Sequence, residues 1–177
     1  MKRWIAFGVV GAAAIAAIVA IVLGRSEGAA TAPQTGSASI PATPSGLDPL
    51  VEEFRATERT CLHRFNTALR DQRAGAMDEL ELSNVIERDV LTPWRALRTR
   101  VGSAPSQDEL YRTLRRYLEL RQLSWEAYVT ALRSPTDDAA RPHYEAHRQK
   151  NAEAQDQAKL IGQRFREAAE RAASPAR

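Results

Sequence analysis

His143 and His147 stand four residues apart, a spacing that stacks two imidazoles on one side of a helix. Two nitrogens are the beginning of a metal site and not a complete one. A third ligand would have to come from His63, Glu145 or Cys61 after folding. The intervening Tyr144-Glu145-Ala146 does not place a glutamate directly after the first histidine, where a metalloprotease base would sit. Ordinary surface or half-buried histidines account for the same letters, so no metal ligands are assigned. Cys61 is the single cysteine and forms no internal disulfide. Its neighbours at helical spacing, Phe54, Phe65 and Leu69, make it a buried thiol; an exposed Cys61 would instead link two copies.

Paired carboxylates occur as Glu52-Glu53, Asp78-Glu79 with Glu81, and Asp137-Asp138. Each group stands near an expected helix start, where negative charge answers unsatisfied backbone donors, and acid–base catalysis is not needed to explain it. There is no glycine-rich phosphate loop, no nucleophile elbow and no cysteine pair for haem or zinc. The expectation is a protein that is not an enzyme and carries no cofactor.

Arginine is the remaining candidate. The chain has 25 Lys or Arg against 22 Asp or Glu, and only Lys2, Lys150 and Lys159 are lysine. Arg95, Arg98 and Arg100 fall in one expected helix; Arg112, Arg115, Arg116 and Arg121 fall in the next. Packing through a short loop would bring the two groups together. Arg95, Arg98, Arg112, Arg115 and Arg116 are therefore the candidate contacts for an anion or an acidic partner, because guanidinium forks match carboxylates and phosphates. Asp89, Asp108, Glu109 and Glu119 lie close by and would turn the same patch into interspersed solvated surface. Arg121 and Asn151 fall on otherwise apolar faces; Arg121 either runs its stem over the core to water or pairs with an acid across the bundle.

These side chains must be held by helices, since no alternating run suggests a strand. Asp48 caps and Pro49 opens a first helix with an apolar stripe of Leu50, Val51, Phe54, Cys61, Leu62, Phe65 and Leu69, ending at Gly75. A second runs from about Ala76 to Val101 through Leu82, Ile86, Val90, Trp94 and Leu97. Pro93 predicts a kink or break near Thr92, which would cap the restarted helix. Ser106 to Glu109 has the form of a capping box for a third helix, with Leu110, Leu114, Tyr117, Leu118, Trp125, Tyr128 and Leu132. Ser134-Pro135-Thr136-Asp137 opens the last, with proline in its first turn, and Pro142 bends its early part. The fold class is all-α: an up-and-down bundle of four helices, or three with one held loosely.

Ahead of this domain, Ile5 to Leu23 is nineteen residues without a polar or charged side chain, behind Lys2, Arg3 and Trp4. As a helix it spans about 28 Å, close to the hydrocarbon thickness of a bilayer. The organisation expected is a cytoplasmic N-terminus over residues 1–4, a transmembrane anchor at 5–23, a flexible linker at 24–46, an extracytoplasmic helical domain at 47–173 and a tail at 174–177. The basic N-terminus sets the orientation. The apolar run is longer than a secretory core, which favours retention of residues 1–32 over cleavage near Ala30-Thr31-Ala32. Gly8, Ala12, Ala16 and Ala20 recur every four residues and offer a seam for a homodimer.

The function expected is a single-pass bacterial cell-envelope protein presenting an interaction or scaffolding module to another envelope or membrane protein. The alternatives are a small-molecule or metal-binding bundle using Cys61, His63, His143 and His147 or the arginine patch, and an accessory sensor acting through a membrane partner. An extracytoplasmic position argues against nucleic acid.

Overall fold

The computed structural model describes residues 48–173, with side chains as far as Glu167. The expected anchor at 5–23, its Gly8, Ala12, Ala16, Ala20 seam, the linker and the tail lie outside the described residues. Among those described, no helix is long and apolar enough to cross a membrane. Residues Leu47–Arg177 form a compact unit of their own.

The described chain is helical: α1 Pro49–Arg73, α2 Glu79–Ile86, a π-helical turn Glu87–Leu91, α3 Thr92–Ser103, α4 Glu109–Leu132 and α5 Asp137–Ala173. With α2, the π turn and α3 running as one rod, this is a four-helix arrangement. Contacts give the directions. Cys61 meets Val90 and Glu53 meets Arg100, so α1 runs against the α2–α3 rod. Arg95 meets Glu126, and Ser124 meets His147, so each later neighbour reverses again.

α1 starts where the sequence places it. Asp48 Oδ1 accepts from the Leu50 amide at 2.9 Å, Pro49 occupies the first position, and Gly75 leaves the helix at φ +76°. The other boundaries correct the reading. The second helix begins at Glu79, because Asp78 Oδ1 caps the Glu81 amide at 2.7 Å. No break occurs at Thr92. The preceding turn widens instead, and Thr92 sends both its amide and its hydroxyl back to the Glu87 carbonyl. The cap of α4 is Asp108, which accepts from the Tyr111 amide at 2.8 Å; Ser106 supports it, donating to that carboxylate at 2.9 Å and accepting from the Asp108 amide at 3.5 Å. Pro135 precedes α5, whose first turn is held by Thr136 Oγ1 accepting from the Ala139 amide. Pro142 lies inside an unbroken helix.

The core runs through all four helices, with Trp94 and Trp125 at its centre, edge to face at 4.9 Å. Trp94 Nε1 donates to the Leu118 carbonyl at 2.9 Å, so the indole is buried without an unpaired donor. Phe54 and Tyr117 extend the aromatic set toward one end, Phe65, Tyr128 and Tyr144 toward the other. α4 and α5 make the closest backbone approach, over buried Ala140, Ala154 and Ala158. The scarcity of large side chains in α5 is thus close packing. α1 reaches α4 and α5 only through side chains.

Candidate functional site

A polar chain crosses the bundle between α1, α4 and α5. The Tyr117 hydroxyl donates to the Glu58 carboxylate, Arg121 Nη2 lies 3.5 Å from the same hydroxyl, and Arg121 Nη1 donates to Asn151 Oδ1. Arg121 is 3% exposed, and its guanidinium lies 5.5 Å from the Tyr117 ring centre and 5.6 Å from that of Trp125. Its Nε is buried with no hydrogen-bond partner. A fork with one edge paired and the other open is chemically suited to a carboxylate or a water.

Helical spacing explains the assembly. Tyr117, Arg121 and Trp125 follow one another by a single turn on α4, stacking the cation between two rings. Sequence reasoning singled out Arg121 and Asn151 on apolar faces, and the structure brings the two together. It missed Glu58, whose place one turn before Cys61 on the inner side of α1 was the available signal. Burial pushes the Glu58 carboxyl above its ordinary range, against the pull of Tyr117 and Arg121. Burial also pushes the Tyr117 phenol up.

The histidine and cysteine candidates disperse. His147 Nδ1 lies 2.9 Å from both the carbonyl and the hydroxyl of buried Ser124, and its ring stacks near Tyr128 at 4.8 Å. Burial holds its pKa below the usual value. His63 is exposed on α1. Cys61 is buried and donates to the Val90 carbonyl in the π turn at 3.6 Å; burial and the nearby Glu58 push the thiol up to about 11. Among the described residues no three of His, Cys, Asp and Glu come together as a metal set.

Each predicted arginine contact already has an internal partner. Arg95 is held by Glu87 at 2.5 Å and Glu126 at 2.8 Å. Arg98 donates to Gln122 at 3.1 Å. Arg112 pairs with Glu109 at 3.0 Å and Arg116 with Glu119 at 2.9 Å. Arg115 closes the end of α3, donating to the carbonyls of Val101, Ala104 and Ser106. Packing does bring the α3 and α4 groups to neighbouring helices, but the pairing neutralises much of the charge they would offer an anion.

Compared with known proteins, the chain matches no family model, no curated protein and no solved structure.

Proposed function

We propose that this chain is a single-pass membrane protein of the bacterial cell envelope, with its N-terminus cytoplasmic and its helical bundle outside the cytoplasm. There the bundle serves as a binding or scaffolding module for another envelope or membrane protein rather than as an enzyme. One observation carries the reading: the unbroken apolar run Ile5 to Leu23 directly behind Lys2 and Arg3. The bundle is consistent with it. Trp94, Ser124, His147 and Arg95 are spent on contacts within the fold, which leaves recognition to the surface.

Extraction of native membranes with alkaline carbonate should leave the intact chain in the pellet with its original N-terminus. Crosslinking in those membranes should then attach specific envelope proteins beyond those captured by residues 1–46 alone. Release into the supernatant at full length would overturn the anchor. A second reading, the small-molecule bundle, draws on the unpartnered Arg121 Nε. It predicts that a carboxylate ligand raises the melting temperature of the wild type and not of Arg121→Met.

A further inference from the structure

The arginines divide by helix. Every described arginine from α2 through α4 has a hydrogen-bond partner, Arg88 with Asp89 and Arg133 with Ser83 and Asn84 included. By contrast, Arg59, Arg64 and Arg73 on α1, and Arg148 and Arg166 on α5, make no hydrogen bond or ion pair with a described residue. Arg64 helps to hold down the Asp89 carboxyl of the π turn. The other four lie along one flank.

Arg55 fixes that flank, because its guanidinium lies 4.2 Å from the ring centre of Phe165. This flank of α1 therefore adjoins α5. Arg59 stands one turn beyond Arg55, and Arg73 eighteen residues beyond it, about five full turns. Arg148 and Arg166 have the same eighteen-residue spacing on α5, and Arg166 neighbours Phe165. The helices are antiparallel, and Phe65 meets Tyr128 as Tyr128 meets His147, so Arg148 is level with the middle of α1 and Arg166 lies near its start. Arg166, Arg59, Arg148 and Arg73 thus alternate between the two helices in one cationic strip along the outer seam of α1 and α5. Nearby carboxylates are mostly engaged: Glu52 with Arg55 at 3.6 Å, Asp71 with Arg70 at 3.9 Å and Asp156 with Lys159 at 2.8 Å. Glu145 remains, three residues before Arg148.

We propose that this α1–α5 face docks on anionic phospholipid headgroups and lays the bundle along the bilayer. The inference rests on the anchor reading, under which the bundle is tethered to a bilayer. A lipid surface suits the face better than a protein does. Protein interfaces need an apolar centre, whereas the exposed large apolar side chains lie elsewhere. Leu80 and Leu123 are on α2 and α4, and Leu160 is about a third of a turn away round α5. A headgroup layer needs only charge, and each arginine near it strengthens binding about fivefold.

The test uses the full chain with Asn66→Cys, an exposed position on α1 that takes a fluorophore while buried Cys61 does not. The chain is reconstituted into vesicles of phosphatidylcholine alone and of equimolar phosphatidylcholine and phosphatidylglycerol, each with a headgroup acceptor dye. Energy transfer should be higher in the anionic vesicles and fall in high salt. It should be lost in R59Q/R73Q/R148Q/R166Q and kept in R88Q/R98Q/R112Q/R116Q, with helicity checked by circular dichroism. Equal transfer in both vesicles, or in both variants, would overturn the inference and leave the face to an acidic protein. Failure to enter phosphatidylcholine vesicles would defeat the anchor reading instead. The face is then judged by flotation of the unanchored chain: recovery with anionic vesicles in the control but not the variant supports it, and no recovery overturns it.

Discussion

Asn151→Ala tests whether the polar chain inside the bundle acts as a unit. Asn151 supplies the acceptor for Arg121 Nη1, and Arg121 Nε is already unpaired. Removing the amide would leave two sides of a buried guanidinium without acceptors. A hydrogen bond to a charged group contributes about 1.5–3 kcal/mol, and the stranded donor sets the cost toward the middle of that range, about 2 kcal/mol. For a unit of this size that is a fall of about 6–8 °C in Tm. Arg121→Met strands Asn151 instead and removes the cation beside Glu58, whose carboxyl can limit the loss by taking a proton. The double variant Arg121→Met/Asn151→Leu removes both buried partners and fills the space with apolar atoms. Replacing a buried ionic group in this way is often neutral or stabilising, so it should lie within about 1 kcal/mol of the wild type or above it. Urea melts of the Leu47–Arg177 unit at pH 7, read through the midpoint at constant slope and with Asn151→Leu as the matching single variant, give the four corners of the cycle. If Asn151→Ala cost less than about 0.5 kcal/mol, or the double variant lost the sum of the singles, the coupling argued from these contacts would be wrong.

Acid should act on two groups with opposite signs. The lowered His147 pKa means the unfolded chain binds the proton first, so stability falls as pH drops below about 6.5. The raised Glu58 pKa means the fold takes up its proton first, so stability is regained as pH falls through that raised value toward 4.5. His147→Asn should abolish the first slope and Glu58→Gln the second in melts across this range; unchanged profiles would contradict the burial of both groups. Cys61 should resist a thiol reagent at pH 8 in the native protein and react within the dead time in urea, since its native pKa is about 11; fast native labelling would show that α1 opens. Gly75→Ala should cost about 1 kcal/mol by forcing a side chain into a φ of +76°, and no loss in Tm would mean that the turn relaxes. Trp94→Phe should cost about 1–3 kcal/mol, from the lost bond to the Leu118 carbonyl and the smaller ring, with the same melts as the measure.

The helices and their inner faces were legible because apolar residues recur at helical spacing and because Asp48, Pro49 and Gly75 have few other uses in those positions. The caps near Ser106 and Pro135 were displaced because several capping residues lie side by side, and only the loop's path selects among them. The internal partners of the arginines were hidden for a related reason. Spacing along a helix locates Arg95 or Arg116, but whether an acid meets it depends on the neighbouring helix, which supplies Glu126 and Glu153. The vacant cations were the ones no helix happened to answer. Arg121 and Asn151 were conspicuous as polar letters in apolar stripes; Glu58 was not, because α1 also carries Glu52 and Glu53 facing outward.

The widened turn at Glu87–Leu91 has a further consequence. It closes with two adjacent residues, Val90 and Leu91, both seated in the interior. The rod is thus two phased segments joined at a slip point. Excising one residue there would restore regular winding and leave the two flanking segments in their present phase, because the wide turn holds one residue more than an α turn. Both the leucine-bearing half and the tryptophan-bearing half would still face the core. A deletion that would swing half of a regular helix toward water should, at this point, leave the bundle standing.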